Sequence, residues 1–388
     1  MDLASAPKLP VKSDGSDSMA SQRGAVCMLS AGEACDPQFL AEWAALVACA
    51  SEPNPFFEPW FLNPSLEAFS GNSARISIAA HYTDGTLTGL IPLARSHNYY
   101  RYPLPHLSGW LHTNAFYGAP LVARGSERAF WTDLLDHLDS KARAALFCHL
   151  PLIERGGQLD LALEAVLRGT GRPSNIALNR QRALHASPLS ADEYLAQSLS
   201  AKHRKELRRQ RRRLADEGEL RTEHRTGTFA LEEWIAEFLA LEAAGWKGNA
   251  GSALSGETAT QQFFAKTLRG AAGAGKLDRI ALRLDGRPIA MLASFITAPG
   301  SYSFKTAFDE QYAPHSPGMQ LQIDNLEVLG KLGAEWTDSC AAEGHPMIDR
   351  LWTERRHLIS RNVAIGGKLR RAAFKKIAAF ENRRSTQS

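Results

Sequence analysis

Apolar and polar positions alternate most regularly in two places along this chain. Between residues 75 and 95 two apolar runs flank Asp84-Gly85, and residues 278–297 place two more around Asp285-Gly286. Asp-Gly supplies the positive φ angles of a tight two-residue turn, so both stretches predict antiparallel hairpins. A similar succession follows each. The first copy continues with an aromatic segment, a helix over 126–140 and a buried run over 144–152. The second continues with a strand over 302–308, a helix over 319–332 and a strand over 335–340. The shared order predicts two copies of one α/β module, with chance recurrence of two Asp-Gly turns as the alternative.

Helical periodicity fills most of the remainder. Ser190-Ala191-Asp192-Glu193 has capping-box spacing, and a helix is expected from there through a basic run to Gly218. A second helix over 231–244 sets Trp234, Phe238 and Leu241 on one face. In the helix over 319–332, Met319, Ile323, Leu326 and Gly330 mark one face and Asp324, Glu327 and Lys331 another. A C-terminal helix over 369–384 sets Leu369, Ala373, Ile377 and Phe380 on one side, for docking on its own domain. The boundary between modules falls near 183–188. This divides the chain into a disordered tail at 1–23, a module over 24–185, a second over 186–380 and a flexible tail at 381–388.

Composition narrows the class without changing this division. At 388 residues, 44% hydrophobic and 22% charged, the chain is a globular protein of two-domain size. No apolar stretch reaches the ~20 residues of a membrane span, and the first residues lack a secretory signal's apolar core, so a cytoplasmic location is expected. Five cysteines without C-x-x-C spacing predict reduced thiols, neither disulfides nor zinc ligands. His345 and Asp349 share a helical face, but no third ligand follows, and no metal is expected. The run from Lys202 to Arg213 holds eight cations against Glu206, leaving a net −3 elsewhere. That is one basic helix on a near-neutral body, to be read as a solvated face, a phosphate contact or, less in keeping with the whole, a nucleic-acid surface.

Chemistry concentrates at Ser316-Pro317-Gly318. Pro317 fixes φ at a helix entrance, and Gly318 allows close backbone approach. Unpaired N–H groups and the helix dipole make such an end suited to a pyrophosphate, or simply a helix start. Here the chain resembles a known family. The order hairpin, strand, phosphate-type loop, helix, strand resembles the GNAT acyltransferase fold. The likeness is closer to the CelD-type acetyltransferases, associated with cellulose and exopolysaccharide synthesis. It is carried by Phe56-Phe57-Glu58-Pro59-Trp60, the 202–214 helix, Leu241-Glu242-Ala243-Ala244-Gly245-Trp246-Lys247-Gly248, Lys305-Thr306-Ala307-Phe308-Asp309-Glu310, Ser316-Pro317-Gly318, and Trp352 after Ile348-Asp349.

The resemblance implies two tandem GNAT-like domains, mixed sheets flanked by helices, the first degenerate and the second binding acetyl-CoA or another acyl-CoA. It places the cofactor at Ser316, Pro317, Gly318, Met319 and Gln320, although this loop carries one glycine where the GNAT signature carries two. Asp309 or Glu310 could serve as general base, His315 as base, Tyr312 as donor to the leaving thiolate, or all could be a solvated turn. Trp246, Lys247 and Lys305 are expected to meet the acceptor, a small molecule or glycan precursor. The aromatic stretches 99–103 and 110–117 could line an acceptor cleft between the domains. Two further functions stay open: an aminoacyl-tRNA-dependent transferase of Fem type, and a non-catalytic protein supporting exopolysaccharide synthesis.

Overall fold

A computed structural model describes residues 24–71, 76–100, 102–141, 143–244 and 258–385. The tail expected at 1–23 lies outside these. The first half contains β1 (Ala25–Leu29), α1 (Pro37–Cys49), α2 (Pro59–Phe69), β2 (Ile76–Thr83), β3 (Thr86–Ser96), β4 (His106–Gly109), β5 (Leu121–Val122), α3 (Glu127–Lys141), β6 (Phe147–Glu154), α4 (Gln158–Thr170) and β7 (Ser174–His185). The second contains α5 (Ala191–Ser198), α6 (Ala201–Asp216), β8 (Leu220–Thr226), α7 (Leu231–Ala244), α8 (Thr258–Gly273), β9 (Leu277–Leu284), β10 (Arg287–Thr297), β11 (Gly300–Phe308), α9 (Pro317–Leu332), β12 (Trp336–Asp338), α10 (Ile348–Leu351), β13 (Glu354–Ala364) and α11 (Lys368–Ser385).

Both hairpins form as the turn chemistry requires. Asp84 and Gly85 have φ of 50° and 77°, matched by 49° and 78° at Asp285 and Gly286. All strands join one mixed sheet, in the order β1-β2-β3-β4-β6-β13-β7-β12-β11-β10-β9-β8, with β5 on β3. The order is a palindrome. Each half contributes a strand, a hairpin, a further strand and a parallel partner, and each takes its sixth strand from the other half. Thus β13 pairs antiparallel with β6, while β7 pairs with β12. The centre of the sheet is therefore an exchange of terminal strands, held by the long β7–β13 ladder. Helices cover both modules, and the fold is a mixed α/β one of two GNAT-like halves.

The halves also share a core. Phe56 packs edge-on against Tyr302 with centroids 5.4 Å apart, and Trp60 against Phe295 at 4.8 Å. Glu58, 2% exposed, accepts from Lys276 at 2.6 Å, Thr297 at 3.0 Å and Trp60 Nε1 at 2.7 Å. The 56–60 motif thus fastens α2 to the second half's hairpin.

Three helices differ from expectation. The basic stretch is not one helix: α5 ends at Ser198, and Ser200 caps α6 by accepting from His203 N. Ser200 does for α6 what Ser190 does for α5, and two capping residues so close start two helices. α9 is buried around more than one face, including Gln320, Gln322 and Asn325, because α5 and α6 lie across its outer side. α11 docks through Phe374 (1% exposed) and Ala378, while Leu369 is 88% exposed. Phe374 seats on Phe147 at 5.6 Å, an aromatic contact that outweighs the aliphatic stripe beginning at Leu369.

Candidate functional site

The parallel partners β11 and β12 pair only over three residues, from Gly300 opposite Trp336 to Tyr302 opposite Asp338. Beyond that point β11 continues, still bonded to β10, while the chain leaves β12 at Ser339. One edge of 303–308 is left without a strand. A bulge falls there too: Ser303 and Lys305 face adjacent residues Ser294 and Ala293, so Phe304 is the extra residue. Bulge and open edge together explain why four consecutive residues, Ser303 to Thr306, line one cleft. Its volume is about 430 Å³, and Phe308, Gln322, Cys340 and His345 complete much of its wall.

Among the described residues no carboxylate lines this cleft. Lys305 Nζ reaches Asn114 Oδ1 at 2.7 Å and lies 5.4 Å from the Phe116 ring, so the strand of one half touches a loop of the other. Ser303 Oγ is buried without a partner among the described residues. His345 Nδ1 accepts from Ile348 N in a long bond of 3.4 Å, which leaves the proton on Nε2. Cys340 adopts φ 54°, outside the usual range for a side chain of its kind, and its N–H is held by Asp338 Oδ1 at 2.8 Å. Burial pushes its thiol well above the ordinary range, so it is no thiolate at neutral pH.

A second cleft of about 450 Å³ lies at the equivalent place in the first half. There β4 and β6 run parallel over Leu107–Cys148 and Ser108–His149, then part. Leu111, His112, Thr113, Ala115 and Phe116 after β4, and His149, Pro151 and Leu152 on β6, line it. The clefts share Phe116, Cys340 and Ala341. Under their junction Asp338, fully buried, binds Arg182 at 3.2 Å and Arg356 at 3.1 Å. Arg356 continues to Glu154 at 2.7 Å and lies over the Tyr117 ring at 4.2 Å. Arg182 donates to Phe116 O at 2.8 Å. These buried charges join β7, β12, β13 and β6, and they position the residues both clefts share.

The expected site residues fall on and off this arrangement. Lys305 is in the cleft. The first turn of α9 borders it: a Cβ on Gly318 would lie 3.4 Å from both Phe308 and Met347, two lining residues. Ser316 has φ 53° and makes no side-chain cap, so Gly318 and Met319 N–H lack a capping partner. The side chain of Gln320 instead donates to Leu207 O at 2.9 Å, fastening α6 across α9, and Met319 packs against α5 and α6. Asp309 caps the turn after β11 and pairs with Arg287 at 2.8 Å. His315 Nε2 meets Glu217 at 2.9 Å, Tyr312 leans on the core under β9, and Glu310 is exposed. Asp309, Glu310, Tyr312 and His315 line neither cleft. Trp246 and Lys247 lie outside the described residues.

Sequence reasoning passed over Ser303, Asn114, Cys340 and His149. A signal existed for the last: His149 is the one polar residue in the buried run over 144–152.

Comparison with known proteins bears on the same segment. Residues 201–345 match the acetyltransferase (GNAT) domain family. That match lies wholly in the second half and spans 145 of the 388 residues. No curated protein matches the chain by sequence. Among solved structures it is similar to FemX, with TM-score 0.56 and 13% identity over 84% of this chain and 96% of that one. It is likewise similar to L-PGS from Bacillus licheniformis, with TM-score 0.53 and 15% identity over 86% and 93%. At such identities the likeness speaks for fold alone. Among the described residues no helix is long and apolar enough to cross a membrane, and no metal-ligating group of three or more is gathered.

Proposed function

We propose that this chain transfers an acyl group, acetyl in the first instance, from acyl-CoA to an amine or hydroxyl of a small molecule or polysaccharide precursor in the cytoplasm. The observation that carries this is the parting of β11 from β12 beside a carboxylate-free cleft that ends at the first turn of α9, within the segment matched to the GNAT domain. The residues suit such a donor. The edge of β11 that β12 leaves can receive an extended amide-bearing arm, and the uncapped first turn of α9 can receive a diphosphate. Lys305 adds a cation near the reacting carbonyl, and the His345 Nε2–H can donate a hydrogen bond to the leaving thiolate. The first-half cleft then takes the acceptor.

Thiol release from acetyl-CoA, measured with a panel of amines and sugars, tests the reading, together with the melting temperature. No release and no stabilisation by millimolar acetyl-CoA would count against it. One observation favours a second donor. Lys202, Lys205 and Arg212 on α6 are exposed and have no ion pair among the described residues, a surface suited to a polyanion such as aminoacyl-tRNA. Retention of charged tRNA on a filter, falling steeply with salt, would support that donor instead. A protein that neither binds tRNA nor releases thiol would fit a non-catalytic role in exopolysaccharide synthesis.

A further inference from the structure

Among the described residues the second-half cleft has no carboxylate to remove the acceptor's proton, which turns attention to the histidines of both clefts. Three histidines reach the two clefts: His112, His149 and His345. His112 has both nitrogens engaged, Nε2 with Ser65 Oγ at 3.1 Å and Nδ1 accepting from Asn114 N at 3.3 Å. His345 holds its lone pair toward Ile348 N. His149 is different, and its protonation can be read from the neighbours outward.

The chain of bonds starts at Glu381 on α11, whose carboxylate only accepts. Tyr99 Oη donates to its Oε1 at 2.8 Å, and Asn175 Nδ2 donates to its Oε2 at 2.8 Å. The Asn362 amide nitrogen turns the same way, donating to Tyr99 Oη at 2.8 Å and toward Glu381 Oε2 at 3.4 Å. Asn362 Oδ1 must then face His149 Nδ1, 2.7 Å away. An oxygen that only accepts requires the proton on Nδ1, and the lone pair is left on Nε2. No hydrogen bond occupies Nε2 among the described residues, and His149 lines the first-half cleft. Register supports the pairing, since His149 and Asn362 are direct partners on β6 and β13.

The geometry points to His149 as the general base of acyl transfer, taking the proton of an acceptor amine or hydroxyl bound in the first-half cleft, with Asn362 and Glu381 as positioning residues. This rests on the acyl-transfer reading. In the step, the acceptor nitrogen or oxygen bonds to the acyl carbon and the carbon–sulfur bond breaks. The acceptor proton goes to His149 Nε2, and the sulfur leaves as a thiolate that the His345 Nε2–H stabilises by a hydrogen bond and that takes its proton from solvent. Burial lowers the His149 pKa below the usual histidine value, Asn362 and Glu381 oppose that, and His106 adds to it. Tyr99 and His106 pack about the ring, while Arg180 and Glu343 share the cleft. The base is thus neutral and ready at neutral pH.

The test uses the full-length chain with acetyl-CoA, and ethanolamine or D-glucosamine as amine probes. His149→Gln should lower the turnover number by roughly 10²–10⁴-fold, the usual contribution of a general base. It should keep the KM for acetyl-CoA and the melting shift, and lose the acidic limb of the pH–rate profile. Asn362→Leu should move that limb and lower turnover less, which a merely structural change would not do. Nitrogen-15 NMR of the wild type should show a neutral Nδ1–H ring at His149. A working wild type with an indifferent His149→Gln overturns the base alone, as does an Nε2–H ring. A wild type that neither releases thiol nor is stabilised by acetyl-CoA overturns the acyl-transfer reading and takes this one with it. Where acetyl-CoA binds and neither probe reacts, the tautomer decides.

Discussion

Removing the carboxylate of Asp338 should destabilise the fold, because that group ties together strands from both halves of one sheet. It is fully buried and accepts from Arg182 at 3.2 Å, Arg356 at 3.1 Å and Cys340 N at 2.8 Å. Breaking a buried ion pair by deleting one partner costs about 3–5 kcal/mol, since the other charge stays buried. Here each arginine keeps an acceptor: Arg182 has Phe116 O at 2.8 Å, and Arg356 has Glu154 at 2.7 Å and Tyr302 Oη at 3.1 Å. Asp338→Ala should therefore fall at the lower end, about 3 kcal/mol, and Asp338→Asn nearer 1.5–3 kcal/mol, the worth of a hydrogen bond to a charged group. Glu154 is the control. Its side chain is 37% exposed, so Glu154→Gln should cost at most about 1 kcal/mol. Equilibrium urea unfolding, monitored by two probes with the slope checked for constancy, reads all three. A loss below about 1 kcal/mol for Asp338→Ala would refute the claim that the network carries uncompensated charge when cut.

Other perturbations follow from the same geometry. Gly318→Ala should fold and still bind acetyl-CoA, because its Cβ would meet Phe308 and Met347 at an ordinary 3.4 Å, whereas Gly318→Glu should abolish the acetyl-CoA melting shift; an unaffected Glu variant would remove the α9 terminus from the donor site. Gly118→Ala should destabilise by about 1–3 kcal/mol or more in urea unfolding, since a Cβ there would lie 2.0 Å from the Pro151 carbonyl oxygen, which is backbone. Burial, with Lys305 nearby, pushes the His112 pKa down to about 3. The unfolded chain binds its proton near ~6.5, so stability present above that pH is lost as pH falls toward the folded value. His112→Asn should flatten the stability–pH slope by about 1.4 kcal/mol per pH unit in that window, and an unchanged slope would show that His112 protonates without unfolding. Lys305→Met should lower thiol release while leaving the urea midpoint nearly in place; equal turnover would remove the cation from the reaction.

Local rules carried far in this chain, and their reach can be seen at particular residues. Asp84-Gly85 and Asp285-Gly286 fix their turns through two dihedrals each, so the hairpins were legible without any neighbour. The Ser190–Glu193 capping box formed for the same reason. The exchange of β7 and β13 was not legible. Nothing in an alternating strand such as Glu354–Ala364 says which edge it will pair with, and that choice belongs to long-range packing. The split between α5 and α6 was legible in principle, since Ser200 is a second capping residue, but helical periodicity masked it. On α11, Leu369 misled because an apolar stripe shows which residues could be buried, not where the partner surface begins.

The site divides along the same line. The proposed donor side is the part that backbone makes: a strand with a lost neighbour and the uncapped first turn of a helix leave a mark in the order of elements. The predicted acids and histidine beside β11 did not enter the cleft, because residues that end a strand are also those best placed to cap the next turn. Asp309 does so through Gln311 N, and His315 closes onto the end of the basic helix. Residues that do face the clefts come from across the molecule, Phe116 from a loop after β4, Cys340 from the exit of β12 and His149 from β6. Their convergence depends on the strand exchange, which brings Asn362 beside His149 from 213 residues away. A base assembled by exchanged strands implies that neither half should catalyse alone, even where the matched domain retains the donor cleft. Separated halves mixed in trans should regain activity only as the β6–β13 and β7–β12 ladders re-form, so turnover and the native near-ultraviolet signal should recover at one rate.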